Sequence, residues 1–120
     1  MSEVMVPAEL VLHQVSQCLE LVYESGERYS LPAEYLRVYS PSAAVRGHHP
    51  SQAVLQTGKR AVQIQAVEPV GNYAVRLVFD DGHASGLYSW PVLWELARHQ
   101  HEYWQDYLDR LDAAGASREP

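Results

Sequence analysis

The chain has 120 residues, 47% of them hydrophobic, and a formal net charge of −6 at pH 7. That length suits a single domain able to bury a core without disulfide or metal staples, and a single cysteine, Cys18, rules out an internal disulfide. Nine Lys and Arg scattered through an acidic chain exclude nucleic acid and anionic membrane surfaces as expected partners, because phosphate binding needs clustered cations.

The first residues carry no basic segment followed by an apolar run, and no stretch approaches the length of a membrane span, so a cytoplasmic location is expected. In chain order, Glu9 to Gln14 and Gln17 to Tyr23 read as a β-hairpin turning at Val15-Ser16, with Cys18 a buried inert thiol in its second arm. Glu27 to Leu31 is a third short strand after the turn at Glu24-Ser-Gly26-Glu. Pro32 opens a short helix over Ala33 to Val38, since its fixed φ suits a first helical turn. Tyr39 to Gln56, with its serines, Pro41, Gly47 and Pro50, is long for a connection without structure, and such loops tend to be functional.

Alternation resumes at Ala61 to Val67, a half-buried strand, followed by a turn over Pro69 to Asn72. Tyr73 to Phe79 is the strongest strand, placing Tyr73, Val75, Leu77 and Phe79 on one face. Asp80-Asp-Gly-His83 predicts a hairpin turn, with Ala84 to Tyr88 as the returning strand. Ser89 is a helix N-cap with Pro91 in the first turn. The apolar stripes through Trp90, Trp94, Ala97, Trp104, Leu108, Leu111 and through Leu93, Leu96, Tyr103, Tyr107 carry that helix to about Ala114, with room for a break near Arg98 to His101. His101 falls in the apolar seam and is expected to pack. Gly115 to Pro120 reads as a frayed tail. The fold class expected is α+β: a small, mostly antiparallel β-sheet with one short helix and a long C-terminal helix packed on it.

Two clusters carry candidate chemistry. Asp81 and His83 at the hairpin turn, joined by His48 or His49 from the long loop, would make a zinc or iron site. The alternative is plain turn chemistry at Asp80-Asp81 and two solvated loop histidines. On the terminal helix, Tyr103, Trp104 and Tyr107 offer aromatic surface for a protein partner or a homodimer, unless they cover the sheet. No nucleophile elbow and no phosphate loop is present, so no catalytic residue is assigned.

The string Val70-Gly-Asn-Tyr-Ala-Val-Arg-Leu-Val-Phe-Asp-Asp-Gly-His-Ala-Ser-Gly-Leu-Tyr-Ser-Trp90, with Leu31-Pro-Ala-Glu-Tyr-Leu-Arg37 and Arg46-Gly-His-His-Pro50 before it, resembles the γ-butyrobetaine hydroxylase-like N-terminal domain family over about residues 8 to 100. In the hydroxylases this domain precedes an oxygenase domain holding iron and 2-oxoglutarate, for which 120 residues leave no room. The resemblance therefore does not imply hydroxylase activity. It implies a zinc site of three cysteines and one histidine. Those positions fall near Ser40, Ser42 and Val45, none a thiolate, and on His83. Related domains joined to ATPases with iron–sulfur clusters imply a link to cluster handling by association. The expected function is a non-catalytic binding or adaptor domain with a protein partner. The alternatives are a metal-binding accessory protein using zinc or iron, and, third, an enzyme with an unrecognised acid–base pair.

Overall fold

Alternating apolar residues fold the chain into two three-stranded antiparallel sheets, joined by a short buried helix and closed by two helices in series. The computed structural model describes residues 6–42, 45 and 54–120. The first sheet has the order β1 (Glu9–His13), β2 (Cys18–Val22), β3 (Arg28–Pro32), and the second β4 (Ile64–Val70), β5 (Ala74–Phe79), β6 (Leu87–Ser89). The α+β expectation holds, with the strands divided between two sheets. Among the described residues no helix is long and apolar enough to cross a membrane.

Helix α1 (Ala33–Val38) sits between them, and all six of its residues are buried. Leu19, Leu21 and Leu31 of the first sheet and Val75, Leu77 and Phe79 of the second belong with Tyr35 and Leu36 to one core cluster. The alternation read along β5 is the reason: its odd-numbered residues from Val75 to Phe79 face inward, while Arg76 is exposed. Cys18 is only partly buried, its Sγ placed 3.6 Å from the carbonyl of Ser16.

Gln17 joins three elements. It ends the β1–β2 turn in the left-handed region (φ 54°). Its carbonyl accepts from the Ala33 N–H at the start of α1 (2.9 Å), and its side-chain Oε1 accepts from the Ile64 N–H at the start of β4 (2.7 Å). Pro32 supplies no side-chain cap to α1, so the Gln17 carbonyl meets one of the donors that every helix start leaves open.

Three sequence expectations change here. Strand β4 continues through Pro69, which pairs opposite Val75. As an edge strand, β4 tolerates a residue without an N–H. The returning strand is only Leu87–Ser89, because residues 80–86 leave the ladder for contacts described below. The terminal helix divides at His99 into α2 (Trp90–Arg98) and α3 (Gln100–Ala114). That break shifts the helical phase, and His101 is exposed rather than packed.

The start of α2 is capped as the sequence predicts: Ser89 Oγ accepts from the Val92 N–H at 3.4 Å. Ser89→Ala is expected to lower stability by about 0.5–1 kcal/mol, the lower part of the range for such caps because the bond is long. A urea midpoint unchanged by the substitution would show that the cap contributes nothing.

Helix α3 ends at Gly115 (φ 62°), and the residues beyond it are fastened rather than frayed. The Gly58 and Arg60 N–H groups donate to the Ser117 and Arg118 carbonyls, each at 3.0 Å. Arg118 makes a two-pronged ion pair with Glu34 of α1 (2.8 and 2.7 Å) and lies over the Trp104 ring at 5.1 Å. Glu34 is 7% exposed, and burying a carboxylate so deep in a fold is costly without such a partner.

Candidate functional site

Among the described residues, the buried polar side chains of Arg37, Ser40 and Ser42 gather at the C-terminal end of α1, where the chain leaves the helix and loop 80–86 folds back over it. Asp81 is the anchor of that loop. Its Oδ2 accepts from Arg37 Nε (2.9 Å) and Lys59 Nζ (2.8 Å), and its Oδ1 from the His83 backbone N–H (3.1 Å). Arg37 is 7% exposed and also donates to Gln56 Oε1 at 3.0 Å. Burial by itself would raise the Asp81 pKa, but the hydrogen bonds from Lys59, His83 N–H and Arg37 outweigh it and take the carboxyl down to about 2.

Asp80 ties the other side of the loop, its Oδ1 accepting from the Gln63 N–H at 3.0 Å. Here the Asp-Asp-Gly stretch does the turn chemistry that was one of the two expectations for it. Because both Asp81 oxygens already face donors and two cations, the carboxylate is poorly disposed to a third cation.

His83 turns toward the segment that follows α1. Its Nε2 lies 2.8 Å from Ser40 Oγ and 3.3 Å from Ser42 Oγ, and the two hydroxyls are 3.4 Å apart. Ser40 is fully buried and Ser42 nearly so. Burial, with the nearby Arg37 charge second, lowers the His83 pKa, so the ring is neutral at pH 7 and shares its hydrogen bonds with the hydroxyls. The Ser42 N–H approaches Ser40 Oγ at 3.4 Å, and the Ser42 carbonyl accepts from the N–H of buried Val45 at 3.1 Å. Gly86 closes the cluster: a Cβ there would lie 2.3 Å from Ser40 Oγ.

Ser40, Ser42 and His83, three of the four positions at which the family resemblance implies a zinc site, thus converge, and Val45 follows directly. Their chemistry does not fit the ion. Zinc is held by thiolate, imidazole or carboxylate, whereas serine hydroxyls keep their protons at neutral pH and Val45 has no donor atom. Among the described residues no three His, Cys, Asp or Glu side chains are grouped to hold a metal. His48 and His49 lie outside the described residues. The serines' part in this cluster was missed from composition and periodicity alone, and only the family pattern marked their positions.

Beside this cluster, α1, residues 54–56 and α3 line a half-open cavity of about 160 Å³, bounded by Val38, Tyr39, Val45 and Leu55, with Ser40 and Arg110 among its polar contributors. Val54, 55% exposed, also lines it. Arg110 spans the polar side, donating to Tyr39 Oη (3.1 Å) and pairing with Asp106 (3.2 Å).

The aromatic residues of α3 face largely inward. Tyr107 also lines this cavity but is 1% exposed, and its hydroxyl donates to the Gln56 carbonyl at 2.7 Å. It is an interior residue. Trp104 packs edge-on against Tyr35 and tilted against Tyr107. Tyr103 donates to Glu95 Oε2 (3.1 Å), and its own carbonyl accepts from Tyr39 Oη (2.7 Å). Both remain half-buried. The short α1, buried on all sides, gives α3 something to cover where the sequence reading expected little.

Comparison with known proteins follows the same lines. The family model described as gamma-butyrobetaine hydroxylase-like, N-terminal, matches residues 10–94. Two NMR solution structures are similar to the chain. One is 50% identical with a TM-score of 0.86, covering 98% of this chain and 93% of that one. The other is 53% identical with a TM-score of 0.84, covering 99% and 89%. A crystal structure of a protein of unknown function of the DUF971 family, from Acidithiobacillus ferrooxidans, is 35% identical with a TM-score of 0.64, covering 76% and 91%. Among curated proteins none matches.

Proposed function

Starting from a chain that belongs to the γ-butyrobetaine hydroxylase-like N-terminal domain family, we propose that it is a non-catalytic binding module which takes one apolar anchor side chain of a protein partner into the cavity between α1, residues 54–56 and α3. The observation that carries this reading is the cavity's size and lining. At about 160 Å³ it compares with an apolar cavity of about 150 Å³ that binds benzene. It falls short of the roughly 300–1,000 Å³ of pockets that enclose cofactor-sized ligands. One aromatic or branched side chain fits, and interfaces concentrate their energy in such anchors. Val54 at the side and Arg110 on the polar wall supply the apolar and polar rim such a contact uses.

The neighbouring polar cluster supports a binding role over a catalytic one. Ser40 Oγ lies within reach of the His83 ring but is fully buried, and Asp81 is held by Arg37 and Lys59, so among the described residues this cluster presents no exposed nucleophile. Asp81 and His83 are committed in different directions, which also weakens the metal-accessory alternative built on that pair.

Benzene is the probe that tests the cavity. In methyl-detected NMR, a benzene titration is expected to give saturable shifts at Val38, Val45 and Leu55, while Leu10 and Leu12, which line the separate groove between the sheets, stay in place. Val45→Phe, which fills the space, is expected to abolish the response. Shifts that never saturate, or that are as large at Leu10 and Leu12, would remove the reading.

A further inference from the structure

Ser40, Ser42 and His83, three of the four positions, come together as the ligands of a metal centre would but carry the side chains of something else. We infer that in this chain a hydrogen-bonded clasp replaces an ion-held one: Ser40 and Ser42 grip His83 and fasten loop 80–86 to the end of α1 without metal, and three thiols at 40, 42 and 45 would reopen the position to one zinc ion. The inference rests on the disagreement between the family's zinc site and these residues, and it is independent of the cavity reading above.

The geometry carries it in three steps. First, the groups come together from distant parts of the chain. Ser40 and Ser42 follow α1, His83 lies some forty residues later, and their polar atoms stand 2.8, 3.3 and 3.4 Å apart. Second, the 2.8 Å between Ser40 Oγ and His83 Nε2 is the spacing of a hydrogen bond rather than of two ligands around an ion. Tetrahedral zinc with Zn–S near 2.3 Å and Zn–N near 2.0–2.1 Å sets its ligands roughly 3.5–3.8 Å apart, so the contact between Ser40 and His83 has closed over the space an ion would occupy. On the side of Gly86 there is no room for a side chain, since a Cβ there would lie 2.3 Å from Ser40 Oγ.

Third, charge sorts the two chemistries. Neutral serine hydroxyls bring no charge to offset a divalent ion, whereas cysteines bring the thiolates that zinc binds. Fit therefore turns on three side chains and not on the backbone.

The test uses cobalt(II) as a spectroscopic stand-in for zinc. Ser40→Cys, Ser42→Cys and Val45→Cys are combined in the full chain. Cysteine behaves as a small apolar residue in buried positions, so the fold is expected to persist. The triple variant should take up one equivalent of cobalt, with thiolate charge-transfer absorption and the visible bands of a tetrahedral site. Zinc should displace it, and the natural chain should show neither spectrum. Adding His83→Ala should shift the visible bands and weaken binding at least tenfold. If the triple variant does not fold, the double variant Ser40→Cys, Ser42→Cys gives the same readouts with water as the fourth ligand.

A variant that ignores cobalt, or one that binds it equally well without His83, would overturn the inference. So would a melting temperature of the natural chain that rises with one equivalent of zinc, or falls when a chelator is added.

Discussion

Asp81→Ala is expected to destabilise the fold by about 2–4 kcal/mol, somewhat below the roughly 3–5 kcal/mol for removing one partner of a fully buried ion pair. The loss comes from what is left behind. Arg37 is 7% exposed and keeps only Gln56 as a neutral acceptor, while Lys59 loses its carboxylate. The value sits below the extreme for such deletions because the Asp81 side chain is 23% exposed and water can reach it. Removing the stranded charge as well is the decisive comparison. Arg37→Met with Asp81→Ala should be more stable than Asp81→Ala alone, because the buried guanidinium is then no longer stranded without its carboxylate. Chemical denaturation of the two variants measures this, and a double variant weaker than the single would refute the account.

The same carboxylate sets an acid dependence. Its pKa is about 2 in the fold against an ordinary 3.8. A depressed carboxylate contributes stability that is fully present above its unfolded pKa and is lost as pH falls through the folded one. The natural chain should therefore lose this contribution between about pH 4 and pH 2, and Asp81→Ala should show a flatter profile across that interval.

The second large effect is expected at the opposite end of α1. Arg118→Ala strands Glu34, which is 7% exposed and has Arg118 on both carboxylate oxygens. A loss of about 2–3 kcal/mol follows, reduced from the full cost of a buried unpaired charge because the Arg118 side chain is itself 35% exposed. Glu34→Gln in the Arg118→Ala background should recover part of it, since an amide is cheaper to bury than a carboxylate. Arg60→Ala provides the contrast. Arg60 also pairs with the terminal segment, through Glu119, but both side chains are more than half exposed, and such pairs contribute little. Equal losses at Arg60 and Arg118 would mean that the segment acts through its backbone contacts alone.

Much of the fold was legible because it rests on local pattern. Alternation along β5, the turn at Val15-Ser16, Pro32 before α1 and Ser89 before α2 each act within a few residues, so the sequence displays them directly. What was hidden depends on partners far along the chain. Arg118 looked like part of a loose end because Glu34 is 84 positions away. Residues 80–86 looked like a tight hairpin because Arg37 and Ser40, which draw Asp81 and His83 out of the ladder, are 44 and 43 positions distant. Tyr107 looked available to a partner because nothing nearby in sequence announces that the Gln56 carbonyl receives its hydroxyl. At the candidate site, the family pattern picked out positions 40, 42, 45 and 83, and residue chemistry excluded zinc. That two of the four would form hydrogen bonds to His83 required the coordinates.

Gln17 shows why this fold resists improvement one residue at a time. A non-glycine residue in the left-handed region is held there at a cost of about 1–2 kcal/mol, and the customary remedy is glycine. Here glycine would relax the turn and at the same moment strip the Ile64 N–H of its acceptor. Asparagine is more at ease with that backbone but is one methylene shorter than the side chain that spans the gap. A local flaw in the first hairpin is thus the fixture that sets where the second sheet begins, and a stabilising redesign of this domain would have to rebuild both sides of that contact together.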